Sequence, residues 1–118
     1  MTATIDFVAF DDDRDACLLV LVEEGPLAGS VEDHLRALQE RLYDCLEAAL
    51  DGQVAERFPR AANMKVVVRV DCYGVPRKEV DEFIERFSEG VLAQPDFSSS
   101  SSRWVRSFEF EVNHDNIQ

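Results

Sequence analysis

The sequence predicts an α/β (α+β) fold, a two-layer sandwich with a four-stranded mixed sheet and two helices on one face, in the order β-β-α-β-α-β. Three observations lead to it: two β-rich segments near the N-terminus, two segments with apolar residues at helical spacing, and two later segments of strand character. Crossovers between parallel strands are right-handed, so both helices are expected on the same face. At 118 residues, we predict a single domain, 1–118.

A β-hairpin is predicted first. Residues 5–10 are rich in β-branched and aromatic side chains, residues 11–15 form an acidic interruption, and residues 16–22 resume as a nearly continuous apolar run. This run is typical of a central strand, but two helices cover only one of its faces. We therefore predict a homodimer that buries the other face, the alternative being that a loop, the strand of Trp104 or the C-terminal tail covers it within one chain.

An amphipathic helix follows the hairpin. Ser30, with Asp33 three residues later, is typical of a helix start, and Gly52 is placed to end the helix. Apolar residues recur at spacings of four and three, which puts on one face Val31, Leu35, Leu38, Leu42, Cys45 and Ala49. Residues 53–58 are predicted to form a further helical turn that Pro59 closes.

A strand and a second helix come next. From Met64 to Cys72 the apolar period is two, which indicates a strand covered on one side. Gly74-Val75-Pro76 then turns the chain into a helix. The predicted core stripe of this helix is Val80, Phe83, Ile84, Phe87 and Val91.

The last strand is predicted over 104–112, after a serine-rich loop at 98–102 and before a loose tail at 113–118. Its alternation places on one face Trp104, Phe108, Phe110 and Val112. On the other face, opposite charges favour a position beside the third strand, with Lys65 and Arg69 next to Glu109 and Glu111.

Acidic charge dominates the composition. The net charge is -12, and residues 1–58 carry 14 acidic and 4 basic side chains. Such a surface repels phosphate, which disfavours nucleic acid and anionic membranes as partners, whereas a basic protein is attracted. The predicted partner surface consists of Asp11, Asp12, Asp13, Asp15, Glu32, Glu40 and Asp44. The alternative is that the charge serves solubility alone.

The cysteines and the apolar runs indicate a cytoplasmic location. Cys17, Cys45 and Cys72 are odd in number, far apart and within apolar patterns, so we predict buried thiols rather than a disulfide framework or a zinc site. No apolar run is long enough to span a membrane, and residues 1–6 lack the basic, apolar character of a leader.

Candidate catalytic and metal-binding residues are few. Asp11, Asp13 and Asp15 have the spacing that begins a calcium loop, but Ala16 and Val22 stand where glycine and glutamate are required, which indicates an acidic hairpin turn. No cysteine or serine is paired with a histidine in a recognisable nucleophile motif, so the two histidines, His34 and His114, are predicted to be surface or capping residues. We predict no catalytic residue, no cofactor and no bound metal.

Several segments also resemble a known family. They are Asp33-His34-Leu35, Leu38-Gln39, Leu42, Gly52-Gln53, Phe58-Pro59, Lys65-Val66-Val67-Val68 and Phe83-Ile84. Over about residues 5–92 this pattern is similar to that of a family of small uncharacterised bacterial proteins, a domain of unknown function, with a His-Leu-x-x-Leu-Gln helix and a Gly-Gln, Phe-Pro or Tyr-Pro turn. The resemblance implies a bacterial origin and a shared fold, and it supplies no catalytic residues.

Two functional hypotheses follow. The favoured one is a non-enzymatic acidic protein-binding module, immunity-type or regulatory, directed at a basic protein partner. The alternative is a small enzyme or ligand-binding protein with a site at the helix-sheet edge. A deep pocket that gathers His34, a cysteine and a carboxylate would favour the alternative.

Overall fold

The computed structural model describes residues 5–25, 29–94 and 104–114. Along the chain the elements are β1 (Phe7–Asp11), β2 (Ala16–Glu24), α1 (Val31–Leu50), α2 (Gln53–Arg57), a 3-10 turn (Pro59–Ala61), β3 (Met64–Tyr73), α3 (Arg77–Leu92) and β4 (Val105–His114). The predicted order is confirmed, with α2 as the further helical turn. The predicted serine-rich loop lies outside the described residues.

The four strands form one mixed sheet in the order β1-β2-β3-β4. β1 pairs antiparallel with β2, whereas β2 pairs parallel with β3 and β3 pairs parallel with β4. On the face towards the helices, Leu19 of β2 lies beside Val68 of β3, which lies beside Phe110 of β4. This face forms a single core with buried residues of α1 and α3, among them Leu38 and Ile84.

The ends of α1 are defined by the predicted residues. Ser30 has an extended backbone, and its hydroxyl accepts a hydrogen bond from the Asp33 backbone N–H at 3.1 Å. At the other end Gly52 has a φ of 86°, a left-handed conformation that favours glycine. Trp104 packs against this glycine, since a Cβ at Gly52 would lie 2.7 Å from the indole ring. The α1 terminus and the segment before β4 are therefore in contact.

The sheet face away from the helices is apolar along β2. Ala16, Leu18 and Val20 form a second buried cluster with Val67 of β3, each at most 6% exposed. The homodimer prediction assumed that the apolar side chains on this face are exposed, and that assumption is wrong for these residues. The prediction that β3 is covered on one side only is wrong at Val67, which is buried on the other side. On this face Phe7 stays exposed, at 62%. The homodimer itself stays a prediction.

Arg14 reaches across the sheet face that lies away from the helices, here called the open sheet face, from one edge strand to the other. Its guanidinium contacts Asp11 at the β1 edge, at 2.7 Å, and Glu111 at the β4 edge, at 3.1 Å. Since β2 and β3 lie between those edges, the guanidinium lies over the central strands. We refer to this contact as the Arg14 bridge, and it crosses the sheet face that carries the second apolar cluster.

The predicted charge pairs between β3 and β4 are partly confirmed. Lys65 and Glu109 form an ion pair at 2.9 Å. Arg69 lies beside Glu111 in the strand register but pairs with Asp71 of its own strand at 2.8 Å. Glu111 instead belongs to the Arg14 bridge.

A β-bulge changes the start of β4. Met64 pairs with Val105 and the next residue of β3 pairs with Ser107, so Arg106 is an extra residue. Val105 is buried on the helix-facing side, and Trp104 precedes the strand, which corrects the predicted alternation. The strand also continues to His114, so the prediction of a loose tail is wrong for residues 113 and 114. Residues 115–118 lie outside the described residues.

Candidate functional site

The acids of the predicted partner surface fall into two groups. Those of the β1–β2 turn are largely neutralised by arginines, in the pairs Arg14 with Asp11, Arg60 with Asp12 and Arg106 with Asp15. The hydrogen bond from Arg14 lowers the pKa of Asp11 below its usual value. Asp13 makes no ion pair with any described residue. The turn is acidic in sequence but mostly balanced in the fold.

The α1 acids of the predicted partner surface remain unpaired. Glu32, Glu40 and Asp44 lie on the exposed side of the helix, and none makes an ion pair within the described chain. Glu47 is not part of the predicted partner surface, but it belongs to the same side of the helix. We call these four residues the α1 acidic stripe. Its negative charge is available to a partner.

A groove lies between α1 and α3, next to this stripe. It has a volume of about 320 Å³ and is lined by Gln39, Tyr43, Phe83, Arg86, Phe87, Gly90, Val91 and Gln94. The rings of Tyr43 and Phe87 meet edge to face with centroids 5.1 Å apart, and Phe83 lies 6.0 Å from Phe87. Since Phe87 is buried and also contacts Phe110 of the sheet, the aromatic floor is fixed in place.

The groove was not predicted from the sequence. Helical spacing placed Phe83 and Phe87 in the core, and the structure leaves Phe83 only partly buried. One signal was present, because Gly90 stands inside α3, where a glycine costs about 1 kcal/mol relative to alanine.

A second constellation lies at the carboxyl edge of the parallel strands. Glu23 of β2 lies beside Cys72 of β3, and Cys72 lies beside His114 of β4. From the helices, His34 Nε2 lies 3.0 Å from a Glu23 carboxylate oxygen. This edge therefore gathers a histidine, a cysteine and a carboxylate, the residue types that the enzyme hypothesis requires.

The histidines at this edge are not free surface residues. His114 Nε2 lies 2.7 Å from the Asp81 carboxylate, and the side chains of His34 and His114 are 18% and 11% exposed. The prediction of surface or capping roles is therefore wrong for both residues. His114 is held by α3 and His34 by β2.

A network of charges anchors Glu23. Arg41 contacts the Glu23 carboxylate and also pairs with Asp6 at 2.8 Å, while the backbone N–H of Val22 donates to Asp6 at 2.8 Å. Burial raises the pKa of Glu23, against the opposing effect of Arg41 and His34. The network joins β2, α1 and the segment before β1, which is a structural role.

The thiol at this edge is not activated. Cys72 is 1% exposed, and burial, followed by the nearby carboxylates, raises its pKa to about 12. Because the thiolate is the nucleophile, a buried thiol that stays protonated is unreactive at neutral pH. Among the described residues, no group of three or more histidine, cysteine and acidic side chains is placed to hold a metal ion.

All three cysteines are free and buried, as predicted. Burial raises the pKa of Cys17 to about 11 and that of Cys45 to about 12. We expect labelling of the native protein by a thiol reagent at about pH 8 to be slow, and labelling in denaturant to be fast at all three sites. Fast labelling of two or more cysteines without denaturant would contradict this prediction.

Comparisons of the chain with protein-family models, with curated proteins and with solved structures found no match. Membership in the bacterial family that the motifs resemble stays a prediction. In the described part of the chain, no helix has the length and apolar character needed to cross a membrane.

Proposed function

We propose that this protein is a non-enzymatic acidic protein-binding module, of an immunity or regulatory type, that recognises a basic protein partner. The observation that carries the proposal is the unpaired α1 acidic stripe next to an aromatic groove. Apolar and aromatic contacts supply most of the affinity in protein interfaces, and the surrounding charge guides association and selects the partner. The groove would supply the apolar and aromatic contacts, and the α1 acidic stripe would supply the charge.

The ion pairs within the chain narrow the partner surface. Acids already paired with arginines, such as Asp11 and Asp12, have little remaining charge to offer. Asp13 makes no ion pair within the described chain but lies among neutralised acids in the turn. Glu32, Glu40 and Asp44 are also unpaired and lie together on α1, so they are the acids that a basic partner would neutralise. A cytoplasmic location and the absence of nucleic-acid binding remain predictions that agree with this role.

The alternative is a small enzyme or ligand-binding protein with its site at the helix-sheet edge. The row formed by Glu23, Cys72 and His114, with His34 beside it, favours this alternative. The buried thiol and its raised pKa speak against it. The binding module therefore has the better support.

The test compares two double variants with the same change in net charge. Glu40→Gln with Asp44→Asn removes two acids of the α1 acidic stripe. Glu24→Gln with Glu56→Gln removes two exposed acids that lie outside the predicted partner surface. Each tagged protein is used to capture partners from the native host at low and high salt, with quantification by mass spectrometry. We expect a basic protein that the wild type captures in a salt-sensitive manner.

The stripe variant is expected to capture that protein less well, on the order of tenfold, and the control variant as well as the wild type. Equal capture by both double variants would show that the α1 acidic stripe is not the recognition surface. If the wild type captures no basic protein at low salt, the proposed function itself is wrong.

A further inference from the structure

Gly90 has no internal reason to be glycine. It lies inside α3, where only proline is less favourable than glycine. A Cβ built at this position would meet nothing within 4 Å, and the backbone does not need the left-handed conformation. Alanine would therefore fit the isolated protein and strengthen the helix. The glycine makes sense if atoms of another chain approach α3 at this point.

Gly90 also lies in the groove, beside the aromatic floor. Without a side chain, this part of α3 presents bare backbone between Phe83, Phe87 and Val91. Close approach of a second backbone at a small residue is a common way for helices to pack together. At Gly90 the groove therefore leaves space for the backbone of a partner to approach α3 closely.

The shape of the groove fits a helix. α1 and α3 each follow one parallel strand and precede the next, so the two helices run in the same direction. A third helix can lie along the gap between two such neighbours, with its side chains between theirs. From Phe83 to Val91 the groove follows α3 for about 12 Å, or roughly two turns at 1.5 Å per residue.

The charge of the two helices favours a basic occupant. α1 carries five acidic and two basic side chains, and α3 carries five acidic and three basic ones. Arg86 is the one cation among the described residues that line the groove. Glu82 and Glu89, one helical turn on either side, offset its charge. An acidic occupant would be repelled by both walls.

We infer that the groove between α1 and α3 receives a basic amphipathic helix of the protein partner. The apolar side of that helix lies on the rings of Tyr43, Phe83 and Phe87, its backbone comes closest at Gly90, and its basic side chains face the α1 acidic stripe. This inference rests on the proposed function and adds the form of the partner segment and the position of its contact.

Synthetic peptides test the inference directly. The probe is a helical peptide of about 14 residues with leucines along one side and lysines elsewhere. One control peptide has the same composition in scrambled order, and a second has glutamates in place of the lysines. Fluorescence anisotropy gives the affinity, and amide chemical shifts give the site. We expect binding of the first peptide alone, with shifts at Tyr43, Phe83 and Gly90.

Two variants at Gly90 separate docking in the groove from general attraction. Gly90→Leu fills the groove and is expected to weaken binding by at least about tenfold, and Gly90→Ala by a smaller factor. Ser88→Ala, on another side of α3, is the matched control and should leave binding unchanged. Circular dichroism is used to check that each variant is folded. If Gly90→Leu is unfolded, the alanine variant decides.

Three outcomes would overturn the inference: unchanged affinity in the Gly90 variants, equal binding of the scrambled peptide, or shifts confined to the open sheet face. The capture experiment separates this failure from a failure of the proposed function. If the natural partner depends on Glu40 and Asp44 but binds the Gly90 variants normally, the groove is wrong and the binding module stands.

Discussion

Replacing Gly25 by alanine is expected to destabilise the protein by about 3 kcal/mol, at the upper end of typical overpacking effects. Gly25 follows β2, and its N–H donates to the Tyr73 carbonyl at 2.6 Å. A Cβ on Gly25 would lie 2.0 Å from the carbonyl oxygen of Gly74. Because the obstacle is backbone rather than a flexible side chain, the backbones of Gly25 and Gly74 must move apart.

Urea unfolding measures this effect. The control is Gly90→Ala, whose Cβ meets no atom within 4 Å and which should be as stable as the wild type or slightly more stable. Equal unfolding midpoints for Gly25→Ala and Gly90→Ala would show that the two turns are not in contact.

The second large effect is expected from Leu38→Ala, at about 2–5 kcal/mol. Leu38 is 0% exposed and lies where α1 meets the sheet, so truncation leaves a cavity in the main core. Val68→Ala, in the central strand β3, should cost somewhat less because fewer atoms are removed. The same urea experiment measures both variants.

Arg36→Ala is the control on the same helix. Its side chain is 69% exposed, and its ion pair with Asp33 is 3.5 Å long, so little stability should be lost. If Leu38→Ala and Arg36→Ala unfold at the same urea concentration, the face of α1 that contacts the sheet has been assigned wrongly.

The elements with strong local signals were predictable. Ser30 and Gly52 mark the ends of α1 through their own hydrogen bonding and backbone preference, and an apolar repeat marks the buried side. The hairpin and its central second strand followed from an apolar run interrupted by charge. These features depend on residues that are close together in the sequence, so they can be predicted from one sequence alone.

Features that depend on distant residues were not predictable. The alternation of 104–112 gives no sign of the bulge at Arg106, because the bulge exists only in relation to β3. The sequence around His34 and His114 gives no sign that they are partly buried, since Glu23 and Asp81 approach them only in the folded protein. The burial of the second apolar cluster was also not predictable, because Val67 joins Ala16, Leu18 and Val20 only when β3 pairs with β2.

In the candidate site, too, features set by nearby residues were predictable and features set by distant residues were not. Glu32, Glu40 and Asp44 were predictable as exposed acids, because helical periodicity places them away from the core. That Arg60 and Arg106 neutralise the hairpin acids was not predictable, because these arginines are distant in sequence. The groove was also hidden, since its existence depends on how far apart α1 and α3 lie.

The Arg14 bridge has a consequence for the nascent chain. Arg14 and Glu111 are 97 positions apart, so the bridge forms only after the last strand has been synthesised and has docked. Until then, the bridge is missing from the sheet face that carries Ala16, Leu18 and Val20, which belong to a β-prone segment with little charge. Such a surface favours aggregation of incompletely folded chains. The hazard therefore belongs to the interval of synthesis and early folding and ends when β4 is in place.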